Sequence, residues 1–379
     1  MTDAVVIGAG PAGLMAAEVL GQAGKSVLIC DAMPSVGRKL LMAGKSGLNL
    51  TKAEDIDDFL AAYGMIPAPM RQAIRDFGPD HVVDWARGLG QDVFTGSTGR
   101  VFPTAMKASP LLRAWMARLA SLGVTVNTRW RWTGWDGDAL AFTTPEGPQT
   151  LTAPIVIVAT GGASWARLGS DGAWAHWMPT VPFKPANVGF VVDWSDHMTR
   201  HFGTPVKGAE LRAGDSRSRG EWVVSTRGIE GGGVYMISRA ARDGAAITVD
   251  LLPDRTEDQI RTALGRSRGK SSLSNHLRKA VRLDPIRLAL LSEFGRPFPD
   301  DLAPLIKALP IKHAGPRPID EAISTAGGVP FDALSGFRLS TRDDVYVAGE
   351  ALDWEAPTGG YLITGCLATG RAAALQSLG

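Results

Sequence analysis

Four residues near the start of the chain have the types and the spacing to hold a dinucleotide. Gly8, Gly10 and Gly13 lie in the run Gly-Ala-Gly-Pro-Ala-Gly, and Asp31 closes the next apolar segment. In such a run the first glycine permits a tight turn. The second lets the backbone approach a pyrophosphate, and the third lets a helix lie close on the preceding strand. Pro11 and Ala12 complete the turn, and the helix that starts there offers free N–H groups and a partial positive charge to phosphates. An acid at the end of the second strand can accept hydrogen bonds from a ribose diol. The elements that must position these residues are legible. Val5-Val6-Ile7 reads as a strand, Leu14 to Leu20 as an apolar helix, and Ser26 to Cys30 as a second strand.

Two later stretches repeat the pattern of a short buried strand followed by glycine. Ile155 to Ala159 is a continuous apolar run that ends in Thr160-Gly161-Gly162. Val345 to Ala348 runs into Gly349-Glu350, and Thr358-Gly359-Gly360-Tyr361 then opens a terminal helix rich in Ala and Gly. A helix that begins after Gly360 can aim its N-terminus at a flavin ring. There it would stabilise negative charge on the N1–C2=O side of the reduced ring. Three such segments, in this order, fit one bound FAD.

Composition sets the bounds. A chain of 379 residues suits two or three domains. The 45 glycines cluster where backbone must approach something closely. A net charge of only +2 gives no global field for nucleic acid, which is not expected as a partner. Cys30 and Cys366 form no CxxC pair, so neither a redox dithiol nor a zinc signature is present. No apolar run reaches membrane-spanning length and no leader-like segment opens the chain, so the expected location is the cytoplasm.

Along the chain, residues 70–90 read as helical and another helix is expected from about Pro110. Val124 to Trp135 reads as a strand leading into a β-meander that ends near Thr152. Residues 186–252 mix β-like stretches, among them Val188 to Val192, Trp222 to Ser225, Val234 to Ile237 and Ala246 to Leu252. Residues 254–308 read as helical and basic. Between Arg261 and Arg282 stand seven Lys or Arg and no Asp or Glu, which reads first as a solvated helical face because no aromatic residues interleave to stack bases.

The motifs together resemble the YhiN/BaiN-type flavoproteins, also called aminoacetone-oxidase-like FAD enzymes, within the glutathione-reductase-like FAD superfamily. The matching stretches are GAGPAG (8–13), GRKLLMAGKSGLNLT (37–51), GRVFPTAMKA (99–108), VIVATGGASWARLGSDG (156–172), STAGGV (324–329) and GEALDWEAPTGGY (349–361). The resemblance implies an α/β fold with a discontinuous Rossmann-type FAD-binding domain (1–185 and 322–379). An inserted β-rich substrate domain (186–253 and 309–321) and a helical insert (254–308) would complete the chain. By matching position, Gly8, Gly10, Gly13 and Asp31 would hold the ADP portion. Arg38, Lys39 and the 43–51 loop, with Gly44 and Asn49, would line the pyrophosphate and flavin. Gly349, Glu350, Gly359, Gly360, Tyr361 and Leu362 would line the ribityl chain and ring, with Thr160 and Gly161 beside them.

The chain also departs from the commoner family pattern. Gly47-Leu48-Asn49 stands where an Arg-Cys-Asn step is usual. Ser225 to Gly233 replaces a stretch with a histidine before its glycine and Ser-Gly-Pro after it. Both regions are expected to face the active site, so substrate identity does not carry over.

Glu230 is a candidate base or amine-binding group over the flavin, against the plainer reading of a solvent-exposed loop acid. Tyr361 is a candidate donor to flavin or substrate, against that of a packed aromatic. Trp165, Trp174 and Trp177 could wall the pocket or fill the core. His197 and His201 stand four apart, but a metal needs further ligands and none is expected. No second GxGxxG unit is present, so two enzyme schemes stay open. In one, NAD(P)H binds transiently, reduces the flavin, and an enone-like or imine-like small molecule takes the hydride. In the other, a small amine reduces the flavin and oxygen reoxidises it. The basic segment favours the first, because it could attract a phosphorylated cofactor. It also keeps open a third reading, an FAD-bearing RNA- or partner-binding protein without turnover.

Overall fold

In the computed structural model, which describes residues 2–379 apart from the side chain of Ser46, the first apolar run forms β1 (Ala4–Ile7). It lies inside a seven-stranded sheet with β2 (Val27–Asp31), β3 (Thr125–Thr128), β4 (Ile155–Val158), β5 (Leu334–Ser335), β6 (Arg338–Leu339) and β7 (Val345–Val347). The order is β5-β6-β7-β4-β1-β2-β3. Strands β7, β4, β1, β2 and β3 run parallel, and β5 and β6 add an antiparallel edge. Val5 sits between Leu28 and Val156 in register. Every residue of β1, β4 and β7 is buried, as parallel strands covered on both faces require. The chain leaves β1 for β2 on one side and reaches β4 on the other. That reversal opens a crevice at the carboxyl ends of the strands, where ligands of such sheets bind.

Helix α1 (Pro11–Gln22) starts directly after the glycine turn, with Pro at its first position. Gly8 has φ +103°, and a Cβ on Gly13 would lie 1.9 Å from the Gly8 carbonyl oxygen, so only glycine allows this approach of helix to turn. Glu18, buried in α1, accepts from Trp115 Nε1 (2.6 Å) and Arg118 Nη1 (2.8 Å), which fastens α1 to α3 (Ala108–Ser121). The remaining helices at the crevice are α2 (Arg38–Ala43) and the terminal α4 (Tyr361–Ser377).

The chain divides into two units, Met1–Lys184 with Ser324–Gly379, and Pro185–Ile323. The second unit holds two four-stranded antiparallel sheets and the helix Gly232–Arg242. Four helices follow within residues 257–307, and their Ile260, Leu277 and Leu290 share one hydrophobic core with Leu211 and Val224 of the sheets. Asp250 has no exposed surface and is paired with Arg212 Nη2 at 2.9 Å and Lys307 Nζ at 2.6 Å.

Three sequence expectations change locally. The β-like stretch Val234 to Ile237 is helical, because Val234, Ile237 and Ala241 bury one helical face once the glycines at 231–233 turn the chain. Residues 70–90 form two helices, Ala68–Asp76 and Pro79–Gly88, since Phe77 and Gly78 break the first and Pro79 opens the second. Val124 to Trp135 splits at Arg129, whose φ of +59° ends β3 and sends Arg131–Asp136 into a separate three-stranded meander.

Candidate functional site

The carboxyl ends of β1, β2 and β4 open onto a cavity of about 390 Å³ in the first unit. Gly8, Gly10, Pro11, Ala12, Asp31, Arg38, Lys39, Thr160, Gly161 and Glu350 all line it, although they come from five separate stretches of chain. Gly13 lies beneath the turn. Gly10 differs from its neighbours in that nothing stands within 4 Å of where its Cβ would point, so the surface there is bare backbone.

Asp31 Oδ2 accepts from the Ala9 amide and Oδ1 from the Met33 amide, both at 2.8 Å. Burial raises its carboxyl above the ordinary range, against the lowering effect of those amides. The carboxylate therefore braces the glycine turn and keeps further lone pairs for a ligand.

Lys39 Nζ donates to Glu350 Oε2 at 2.8 Å and to Ser164 Oγ at 2.9 Å. Glu350 Oε1 accepts from the Thr325 amide at 2.9 Å. This network ties α2, the turn after β7 and the strand Ser324–Gly328 into one wall. Cys366 lies behind it, and burial, reinforced by the Glu350 charge, pushes its thiol up to about 12.

Among the described residues, Arg38 Nε and Thr160 Oγ1 on the cavity lining are buried without a protein partner, as are Asn49 Oδ1 and Thr358 Oγ1 elsewhere in the first unit and Trp222 Nε1, Arg287 Nε and Arg317 Nε in the second. Buried polar atoms are almost always satisfied, so the two on the cavity lining fit a polar ligand held there. Together with the bare backbone at Gly10, they fit the donors and acceptors of FAD. Trp130, Trp132 and Cys366 line the cavity unforeseen. Of the three tryptophans singled out, Trp174 and Trp177 line it and Trp165 does not.

The remaining expected residues lie off this cavity. Gly44 packs against Ala108 at the start of α3. Gly349 is fixed by its amide on Thr369 Oγ1 and by its carbonyl, which accepts from Trp354 Nε1. Gly359, Gly360 and Leu362 stand at the start of α4, where Gly360 abuts the backbone of Thr51. The ring of Tyr361 is buried against Phe59 and Tyr63. Its hydroxyl donates to Glu54 Oε1 at 2.5 Å and accepts from Lys52 Nζ at 3.2 Å. Burial and the Glu54 carboxylate push this phenol up to about 12.

Glu230 belongs to the second unit, where Arg317 pairs with it through Nη1 and donates to Ser225 Oγ through Nη2. His197 bonds Ser195 Oγ and His201 bonds Arg200. Among the described residues no group of three or more His, Cys, Asp or Glu could hold a metal, and no helix is long and apolar enough to cross a membrane.

Comparison with known proteins gives the family and the fold. The model of the HI0933-like protein Rossmann domain matches residues 2–376. The chain is 28% identical over 398 residues to a 3-dehydro-bile acid delta(4,6)-reductase of Clostridium scindens, covering 96% of each protein. It is 25% identical over 380 residues to the ribosomal RNA dihydrouridine synthase of Escherichia coli, covering 95% of this chain and 94% of that one. Among solved structures, the fold is similar to a 3-ketosteroid-delta4-(5alpha)-dehydrogenase of Rhodococcus jostii, with a TM-score of 0.55, 14% identity, and coverage of 100% and 97%. This chain belongs to the HI0933-like Rossmann flavoprotein family and is an FAD-dependent oxidoreductase.

Proposed function

We propose that the chain reduces a carbon–carbon double bond conjugated to a carbonyl, with NAD(P)H as electron donor. Both curated activities support this reading. A 3-dehydro-bile acid delta(4,6)-reductase saturates a diene conjugated to a ketone, and a dihydrouridine synthase saturates the ring double bond conjugated to a uracil carbonyl. Bound FAD would supply a two-electron carrier between the nicotinamide and the acceptor.

The residues divide this work. Gly8, Gly10, Pro11, Ala12 and Gly13 seat the pyrophosphate, and Asp31 holds a ribose. Arg38, Lys39, Thr160, Gly161 and Glu350, which line the cavity, would satisfy the polar edges of the cofactor, while Gly44, Asn49, Gly349 and residues 359–362 are assigned to it by the family resemblance alone. The Tyr361 hydroxyl, held between Glu54 and Lys52, orders the start of α4 and keeps its proton at neutral pH. Glu230, the candidate base, fixes the Arg317 guanidinium within the second unit.

The observation that carries the flavin assignment is the pair of unpartnered buried atoms on Arg38 and Thr160, beside the bare backbone of Gly10 in one cavity. Its test is the absorbance spectrum of the purified protein, followed anaerobically on adding NADPH, NADH or small amines. Bleaching by a nicotinamide, followed by reoxidation on adding an enone, is expected. Bleaching by an amine alone would turn the assignment to an amine oxidase.

A second reading of the acceptor, a uracil base within RNA, draws on the exposed basic segment. Arg266, Arg268, Lys270, Lys279 and Arg282 are exposed and make no ion pair among the described residues. Binding of a ribosomal RNA fragment with a steep salt dependence, and a two-dalton mass gain on turnover, would favour it over a lipid-like enone.

A further inference from the structure

We propose that a cationic pocket beside the flavin cavity receives the 2′-phosphate of NADPH, which makes the phosphorylated nicotinamide the preferred donor; this rests on the donor reading given above. The pocket, of about 490 Å³, lies in the first unit between α2 and the start of α3. Arg38, Lys45 and Lys107 line it, with Ser109, and no acidic residue does. Lys45 and Lys107 are exposed and make no ion pair among the described residues. Arg38 also faces Asp31 and donates to Ser35 Oγ, yet its Nε is buried and unpartnered.

The spacing follows from the helix. Arg38, Leu41, Met42 and Lys45 recur at three and four residues, so α2 and the turn after it turn one face to the pocket. Gly44 sits where a Cβ would meet the Ala108 side chain at 2.6 Å, which brings Lys45 and Lys107 to the same opening. Arg38, Ser35 and Leu168 line both this pocket and the flavin cavity, so the two are contiguous. A donor that delivers a hydride to the flavin must lie alongside that cavity. Three cations without an acid match a phosphate monoester, which carries close to two negative charges at neutral pH. NADH has no such group.

The test uses the FAD-loaded protein and calorimetric titration with adenosine 2′,5′-bisphosphate, against 5′-AMP. The wild type is expected to bind the bisphosphate about tenfold or more tightly than 5′-AMP, the gain of one charge-assisted contact. Lys45→Met and Lys107→Met should each reduce that preference, and the double variant should abolish it. Lys25→Met, at the amino end of β2, should leave it unchanged. Retained flavin colour verifies that each variant is folded. Equal affinity for the two nucleotides, or a preference that survives in the double variant, would overturn the proposal. So would displacement of the bisphosphate by a short RNA but not by NADPH, which would give the pocket to a nucleic-acid phosphate. Failure of both nicotinamides to bleach the flavin would instead strike the donor reading, and the nucleotide titration judges the pocket separately from it.

Discussion

Lys39 and Glu350 stand 311 positions apart in the chain, and their charged atoms meet at 2.8 Å on the wall of the flavin cavity. The carboxylate is nearly buried, at 7% exposure, and also holds the Thr325 amide. A contact of this kind joins the first and last thirds of the sequence on the wall of the candidate site.

Replacing Glu350 by Gln keeps the shape and removes the charge. The variant is expected to lose roughly 1–3 kcal/mol, the usual cost of a weakened charge-assisted bond at a buried site. The check is thermal unfolding with and without added FAD. A larger loss is expected in the FAD-loaded form, because the wall then also loses its grip on the cofactor. Equal small shifts in both forms would assign the pair to packing alone.

Gly10 and Gly13 should fail differently. A side chain on Gly10 meets no protein atom, so Gly10→Val is expected to fold, with an unchanged far-ultraviolet spectrum, and to purify colourless. A side chain on Gly13 would collide with the Gly8 carbonyl, so Gly13→Val is expected to be unstable itself. A full FAD complement on Gly10→Val would refute the phosphate-turn assignment.

Both cysteines are buried, and burial pushes the thiols of Cys30 and Cys366 up to about 12. A raised thiol favours the protonated form in the fold. Stability from this source is therefore complete below the unfolded value of about 9 and falls as pH climbs from there toward 12. At pH 8 a disulfide reagent such as DTNB should titrate neither thiol in the native protein and both after denaturation.

Asp250→Asn tests the second unit. The change leaves the half-buried Arg212 and Lys307 facing a neutral amide that has no exposed surface. An uncompensated buried pair typically costs about 3–5 kcal/mol. Chemical denaturation of the variant should show the shift, with the flavin spectrum of the native state unaltered.

Glu230→Gln is expected to slow flavin reduction or reoxidation, measured in stopped flow, with little loss of bound FAD. Removing the acid frees Arg317 from its partner and leaves the cofactor cavity intact. Unaltered rates in both half-reactions would make Glu230 a surface acid.

The glycine turn between β1 and α1 was readable from the chain because its geometry is local. Gly8, Gly10, Gly13 and Asp31 act through spacing within one strand-turn-helix-strand unit, and any fold that keeps the unit keeps their relation. The strands β4 and β7 were equally plain, since a strand buried on both faces must be apolar throughout. Local pattern misled at Val234 to Ile237, where branched residues suit a strand but a glycine turn and one buried face make a helix.

What the sequence alone determined is which short stretches form the glycine turn and in which order the buried strands occur. Tertiary structure decided which of those stretches meet. Lys39 joined Glu350, Thr358 was left with an unsatisfied hydroxyl, Tyr361 turned its ring into an aromatic cluster, and Glu230 found Arg317. Composition cannot reveal such pairings. A side chain's charge state and reach depend on groups brought near by sheet order and helix packing, and those neighbours lie tens to hundreds of residues away.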